Sequence, residues 1–145
     1  MLVNSYLDRL SDGGIENVSR WQAANVASLI GDDGIVATPR DAIKFLRGLF
    51  EGQLLQSASV QEMIHWVKDK DGSNVYGMGL YDVRFNGVEA YGHGESGIGS
   101  GCGLYYIPSK KLYVFIATNL GTIVEGPLVD KVIAMKDEMM GILVK

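Results

Sequence analysis

The side chains best equipped for chemistry concentrate in one stretch, "YGHGESGIGSGCGLYYIP" at residues 91–108. It holds one of the two histidines, His93, the carboxylate Glu95, the hydroxyls Ser96 and Ser100, and the sole cysteine, Cys102. Three familiar chemistries can be set against that string. Gly92–Gly97 spells G-x-G-x-x-G, but a dinucleotide site needs it between a strand and a helix, so that the helix N-terminus meets the pyrophosphate. Here more glycine and then a strand-like run follow, which excludes that reading. "GESG" opens a nucleophile elbow, G-x-S-x-G, around Ser96. Ile98 stands where its last glycine belongs, and both His65 and His93 precede Ser96, whereas that architecture supplies its histidine afterwards. A metal centre fares no better, because one cysteine and two separated histidines give no zinc spacing, and no glutamate follows Asp32, Asp33, Asp69 or Asp71 at calcium-loop spacing.

Each of these residues also has a plainer role. Ser96 and Ser100 suit turns, Glu95 suits a solvated surface, and Cys102 suits a small buried position on a strand. His65, beside Trp66 in an amphipathic run, reads as a surface residue. The tyrosines at 76, 81, 91, 105, 106 and 113 fit strand propensity rather than a sugar platform.

The elements that would position the string are legible from periodicity. "TPRDAIKFLRGLFEG" gives a helix with Thr38 as N-cap, Pro39 in the first turn, a stripe of Ala42, Ile43, Leu46, Leu49 and Phe50, and Gly52 as stop. "SVQEMIHWV" gives a second, with Ser59 and Glu62 in capping-box spacing. After "KDKDGSN" the period changes to that of strands. "VYGMGLYDVRF" and "VEAYGH" flank Asn86-Gly87, a two-residue hairpin turn, and "CGLYYI" and "KLYVFIATN" flank Pro108-Ser109-Lys110. The tail reads as a helix with Leu128, Val132, Met135, Met139 and Ile142 on one stripe, while "MLVNSYLDRL" suggests a short helix ended by "SDGG". The expectation is an α+β domain over residues 1–145: a weakly patterned lead, 1–33, and then helices packed on an antiparallel sheet of about four strands.

Composition bounds the function classes. A net charge of −4, with lysines and arginines scattered singly, provides no stripe for nucleic acid or anionic lipid. No segment approaches the roughly 18 apolar residues of a spanning helix, and no basic region precedes an apolar run at the N-terminus. Taken literally, the chain reads as cytoplasmic, with localisation otherwise open. No cofactor is called for.

One arrangement absorbs the whole pattern. "GIVATPRDAIKFLRGLFEGQLL", then "YGMGLY", then "YGHGESGIGSGCGLYYIPSKKLYVFIATN", from about Gly34 to Gly121, resembles the C-terminal part of the serine β-lactamase-like family. That family comprises class C β-lactamases, D-alanyl-D-alanine peptidases and related esterases. The resemblance implies that His93, Gly94 and Glu95 stand where the family carries a K-T-G, H-T-G or H-S-G triplet along one wall of the active site. His93 would be the polar wall and Gly94 the small middle position. The backbone N–H of Ser96 would be the second oxyanion-hole donor. Glu95 departs from the usual glycine. The family's nucleophile and relay are missing: no serine has lysine three positions later, and no tyrosine or serine has asparagine two later. The resemblance therefore implies a C-terminal portion, inactive alone, whose partner is an N-terminal half of the same enzyme, with the cell envelope as a location open to the full-length parent. The alternative is a non-catalytic, ligand-binding or oligomerising module. The run Leu112–Ala117 has neither proline nor inward charge to protect a sheet edge, which leads to an expected homo-oligomer.

Overall fold

The computed structural model describes residues 2–29, 31 and 35–145. Met1, Gly34 and the two charges Asp32 and Asp33 lie outside the described residues. The elements, in chain order, are β1 (Tyr6–Leu7), β2 (Glu16–Asn17), α1 (Ser19–Ser28), α2 (Pro39–Phe50), α3 (Ser57–Met63), β3 (Val67–Lys68), β4 (Asn74–Tyr76), β5 (Tyr81–Phe85), β6 (Val88–Ser96), β7 (Gly101–Ile107), β8 (Leu112–Thr118) and α4 (Pro127–Leu143). β1 and β2 form a two-stranded sheet, and β3 to β8 form a six-stranded antiparallel sheet in sequence order. The α+β expectation holds. The sheet exceeds the expected four strands because β3 and β4 add to it.

The chain sorts into two compact units that interleave along the sequence. The first comprises Met1–Ala37, Gly94–Cys102 and Ile116–Met139, and the second comprises Thr38–His93, Gly103–Phe115 and Met140–Lys145. In the first unit, Leu7, Val18, Leu120 and Val129 are buried. Tyr6 donates its N–H to the Asn119 carbonyl at 2.8 Å and accepts from the Gly121 N–H at 2.7 Å. The carboxylate of Asp8, also buried, accepts the backbone N–H groups of Asp12 (3.1 Å) and Gly13 (3.0 Å). These pairings hold residues 4–13 as strand and turn. The short helix expected at residues 1–10 is absent among the described residues, because partners distant in sequence outweigh a local helical pattern too short to stand alone.

In the second unit the core gathers Ala90, Ile107, Met140 and Val144, with Val83, Phe85 and Tyr105 packed against them. Helix α2 forms as its residues dictate. Thr38 Oγ1 accepts from Asp41 N and the Asp41 carboxylate accepts from Thr38 N, both at 3.2 Å, a reciprocal cap. The Thr38 hydroxyl, donating to that carboxylate at 2.7 Å, and then the Thr38 N–H hold the Asp41 carboxyl below its usual range. Its inward face is Leu46, Gly48 and Leu49. Helix α3 begins at Ser57 with Gln56 as N-cap, so Ser59 lies inside it and the expected Ser59/Glu62 box is not formed. Asn86 and Gly87 turn with φ of 48° and 79°, and Phe85 pairs with Val88 as a tight hairpin requires.

The run expected as one strand over residues 75–85 is two strands. Gly77 N–H donates to the Leu80 carbonyl at 2.8 Å and Gly79 turns at φ +72°, folding β4 back on β5 so that Tyr76 faces Tyr81. Helix α4 also differs from its pattern: Val129 and Met140 are its most buried apolar residues, while Met135, Met139 and Ile142 of the expected stripe are exposed. Apolar residues occur all around this helix, so spacing alone does not choose the face.

Between β6 and β7 the backbones pass too closely for any side chain at position 92. A Cβ built there would lie 2.0 Å from the Leu104 carbonyl oxygen. Aromatic rings cover part of the second unit: Phe50 meets Tyr106 at 4.6 Å, and Tyr106 stacks on Tyr113 at 4.6 Å and 16°. Burial pushes the Tyr113 phenol up to about 12, with the charges of Tyr106 and Glu51 adding to it.

Gly92→Ala is expected to destabilise the protein by at least ~3 kcal/mol, since backbone rather than a movable side chain stands in the way. Thr38→Ala is expected to cost only ~1 kcal/mol, the loss of a helix cap. Urea unfolding of both variants checks the order. A phenol whose folded pKa is raised contributes stability that is complete below its unfolded value and is lost as pH climbs through the folded one. Stability should therefore fall between pH 10 and about 12, in step with phenolate absorbance, and Tyr113→Phe should reduce that dependence.

Candidate functional site

The candidate residues His93, Gly94, Glu95 and Ser96 close strand β6, which alternation divides into two faces: His93 and Glu95 on one, Gly94 and Ser96 on the other. His93 belongs to the second unit and Gly94–Ser96 to the first. Their surroundings are accordingly described apart.

Within the second unit, β5 brings Tyr81 opposite Gly92, and the turn at Gly77–Leu80 brings Tyr76 opposite Tyr81. The His93 ring consequently lies 5.0 Å from the Tyr81 ring and 6.1 Å, edge-on, from that of Tyr76. Below it opens a cavity of about 630 Å³ walled by α2 (Leu46, Leu49), by Met63, and by Leu104 of β7. Among the described residues on that wall, His93 is the only titratable one. An imidazole held beside phenol rings and hydrocarbon carries a polar nitrogen edge in an otherwise apolar setting, which suits recognition. Tyr76 and Tyr81 were missed as neighbours of His93. Their signal was the glycine pair at 77 and 79, which marks a turn inside what reads as a continuous strand.

Within the first unit, Glu95 and Ser96 are exposed. The chain then turns: Gly97 N–H donates to the Ser100 carbonyl at 2.9 Å, Thr122 N–H to the Gly97 carbonyl at 3.1 Å, and Gly99 N–H to Gln22 Oε1 at 2.9 Å. Cys102 is half-buried. Burial pushes its thiol up, as does the Glu95 charge, while the Lys136 charge and a hydrogen bond from the Glu95 backbone work the other way. A thiol so raised is a poor nucleophile, in keeping with a packing role. Lys136 donates to the Cys102 carbonyl at 3.4 Å. Ser100 lends its backbone to the turn. His65 is exposed and lies outside both groups.

Among the described residues, no cluster of histidine, cysteine and carboxylates could hold a metal ion. Among them too, no helix is long and apolar enough to cross a membrane.

No protein-family model matches this chain, and no curated protein does. Solved structures do. D-amino acid amidase from Ochrobactrum anthropi SV3, complexed with L-phenylalanine amide, is 26% identical over 81% of this chain and 35% of its own, with a TM-score of 0.64. The same amidase complexed with L-phenylalanine gives a TM-score of 0.76 over 97% of this chain and 44% of its own, at 20% identity. A penicillin-binding protein from Bacillus halodurans follows at a TM-score of 0.65 and 20% identity, over 94% of this chain and 40% of its own. A D-stereospecific amidohydrolase from Streptomyces sp. is 22% identical, with a TM-score of 0.59, over 82% of this chain and 35% of its own. This chain thus spans well under half the length of each. What the strand order and the glycine-rich turn suggested and these likenesses carry is that the chain belongs, as a part, to the serine β-lactamase-like fold.

Proposed function

We propose that this chain supplies one wall of the active site of an acyl-transferring serine hydrolase, and that it does not turn over substrate by itself. The observation that carries the reading is strand β6: it bears His93, Gly94 and Glu95 at its end, inside a sheet that superposes on those of amide-cleaving and penicillin-binding proteins. In this reading His93 is the polar wall, Gly94 leaves room for substrate against the strand, and the N–H of Ser96 is one of two donors to the oxyanion. A preset donor counts because charge on that oxygen develops only in the transition state. The nucleophile, its lysine base and the Y-x-N relay come from a segment outside these 145 residues, since no S-x-x-K and no Y-x-N or S-x-N occurs within them. The 26% identity with D-amino acid amidase makes amino-acid amides the first substrate class to try, ahead of β-lactams, D-alanyl peptides and esters.

A second reading has its own support. β8 ends the six-stranded sheet, and among the described residues it has no strand partner on its outer side. Its sequence, Leu112–Thr118, lacks the devices that shield an edge. Here the chain is a non-catalytic module that pairs with a second copy through β8.

The isolated chain should form no covalent adduct with a fluorescent penicillin or a fluorophosphonate probe. A stoichiometric adduct that disappears in Ser96→Ala would replace the proposal with Ser96 as nucleophile. Joined to a segment bearing S-x-x-K and Y-x-N, the chain should support hydrolysis. His93→Ala should then lower kcat/KM by roughly tenfold or more, about 1.4 kcal/mol of transition-state stabilisation, whereas Glu95→Gly should leave it equal or higher. No effect from either change would mean that β6 is not the wall. Sedimentation of the isolated chain at micromolar concentration tests the second reading: a dimer that Val114→Lys or Phe115→Lys converts to monomer supports it, and a monomer at all concentrations contradicts it.

A further inference from the structure

The cavity beneath His93 has a composition that catalysis alone does not explain. Its wall is hydrocarbon apart from one imidazole, and its volume of about 630 Å³ falls inside the range of roughly 300–1,000 Å³ typical of small-molecule sites. Two glycines line it. At Gly92, on the β6 side, the approach of the Leu104 carbonyl excludes any side chain. At Gly79 the φ of +72° favours glycine, and a Cβ there would meet nothing within 4 Å. Apolar residues also stand unusually exposed around the opening: Phe45 at 59% and Leu55 at 38%. Phe45 is the outlier on α2, a phenyl group set beside the buried Leu46 and Leu49 at the point where the cavity meets solvent. A cavity lined in this way gains free energy only when an apolar group replaces the water inside it.

We propose that this cavity receives the apolar side chain of the substrate, an aromatic ring or a branched alkyl group, and so makes the hydrolase selective for amides and esters of bulky apolar acyl groups. The inference rests on the reading above in one respect, that His93 borders the substrate. The rest follows from the cavity. A phenyl or isobutyl group would lie on Leu49, Met63 and Leu104, with Phe45 closing over it. The polar amide or ester end would stay at the His93 side. Among the described residues no Asp, Glu, Lys or Arg lines the cavity, so an acidic or basic side chain would be desolvated without compensation and is disfavoured.

The test is calorimetric titration of the folded chain with N-acetyl-phenylalaninamide, N-acetyl-valinamide and N-acetyl-glycinamide, which needs no turnover. The expected result is saturable one-to-one binding of the phenylalanine compound, weaker for valine, and roughly tenfold or more weaker for glycine, the scale on which apolar pockets discriminate. Leu104→Trp, which fills the cavity, should abolish that binding. Phe45→Glu changes an exposed position that the fold does not need, and should weaken it, with circular dichroism confirming a folded chain in both cases. Equal affinity for all three amides, or binding indifferent to both substitutions, would overturn the proposal. The two readings fail separately. If the amide preference stands while His93→Ala leaves the kcat/KM of the completed enzyme unchanged, the cavity is a binding site and the wall assignment is wrong.

Discussion

The separation of β6 from β7 at Gly92 is the constraint from which the rest of the site follows. With 2.0 Å between a hypothetical Cβ and the Leu104 carbonyl oxygen, the two strands can sit side by side here only if position 92 carries no side chain. That closeness sets where β6 presents its next residue, His93, and leaves the strand bare on the side where the cavity lies. β5 then docks in register with Tyr81 opposite Gly92, which brings a phenol against the imidazole. One missing Cβ thus fixes a ring contact and a cavity wall.

Most of the second unit was legible because its signals are local. Thr38, Pro39 and Asp41 announce a helix start whose reciprocal hydrogen bonds form as their types require, and Asn86-Gly87 announces a hairpin that closes at Phe85 and Val88. The misreadings share a different cause. Residues 4–13 are held by Asn119 and Gly121 more than a hundred positions away, and by the buried carboxylate of Asp8, none of which a periodicity in "MLVNSYLDRL" can register. α4 carries apolar residues on several faces, so its 3.6-residue pattern fits more than one packing, and Val129 and Met140 rather than Met135 and Met139 turn inward. At the site, the stretch at residues 91–108 stood out for its chemistry-bearing side chains. Which rings would face His93 depended on reading Gly77–Leu80 as a turn and not as strand.

The chemistry divides along the same lines. His93 sits in an apolar and aromatic setting suited to gripping an uncharged group, whereas Glu95 is exposed, and burial first, with the Glu95 charge adding to it, pushes up the thiol of Cys102. The Glu95 carboxylate places negative charge at the end of β6. In the proposed reading it disfavours anionic substrates and leaves neutral amides and esters, which agrees with the uncharged cavity. β8 ends the six-stranded sheet, several apolar side chains of α4 are exposed, and the chain spans under half the length of its structural neighbours.

The central claim is that these residues form one wall of a serine hydrolase whose nucleophile lies elsewhere in the polypeptide. Its most direct test is the coding sequence immediately upstream of residue 1, read together with the mass of the native polypeptide. The account predicts an in-frame extension bearing S-x-x-K followed by Y-x-N or S-x-N, and a native product that includes it. A native chain of 145 residues preceded by a stop codon, with no separate polypeptide carrying those motifs, would contradict it.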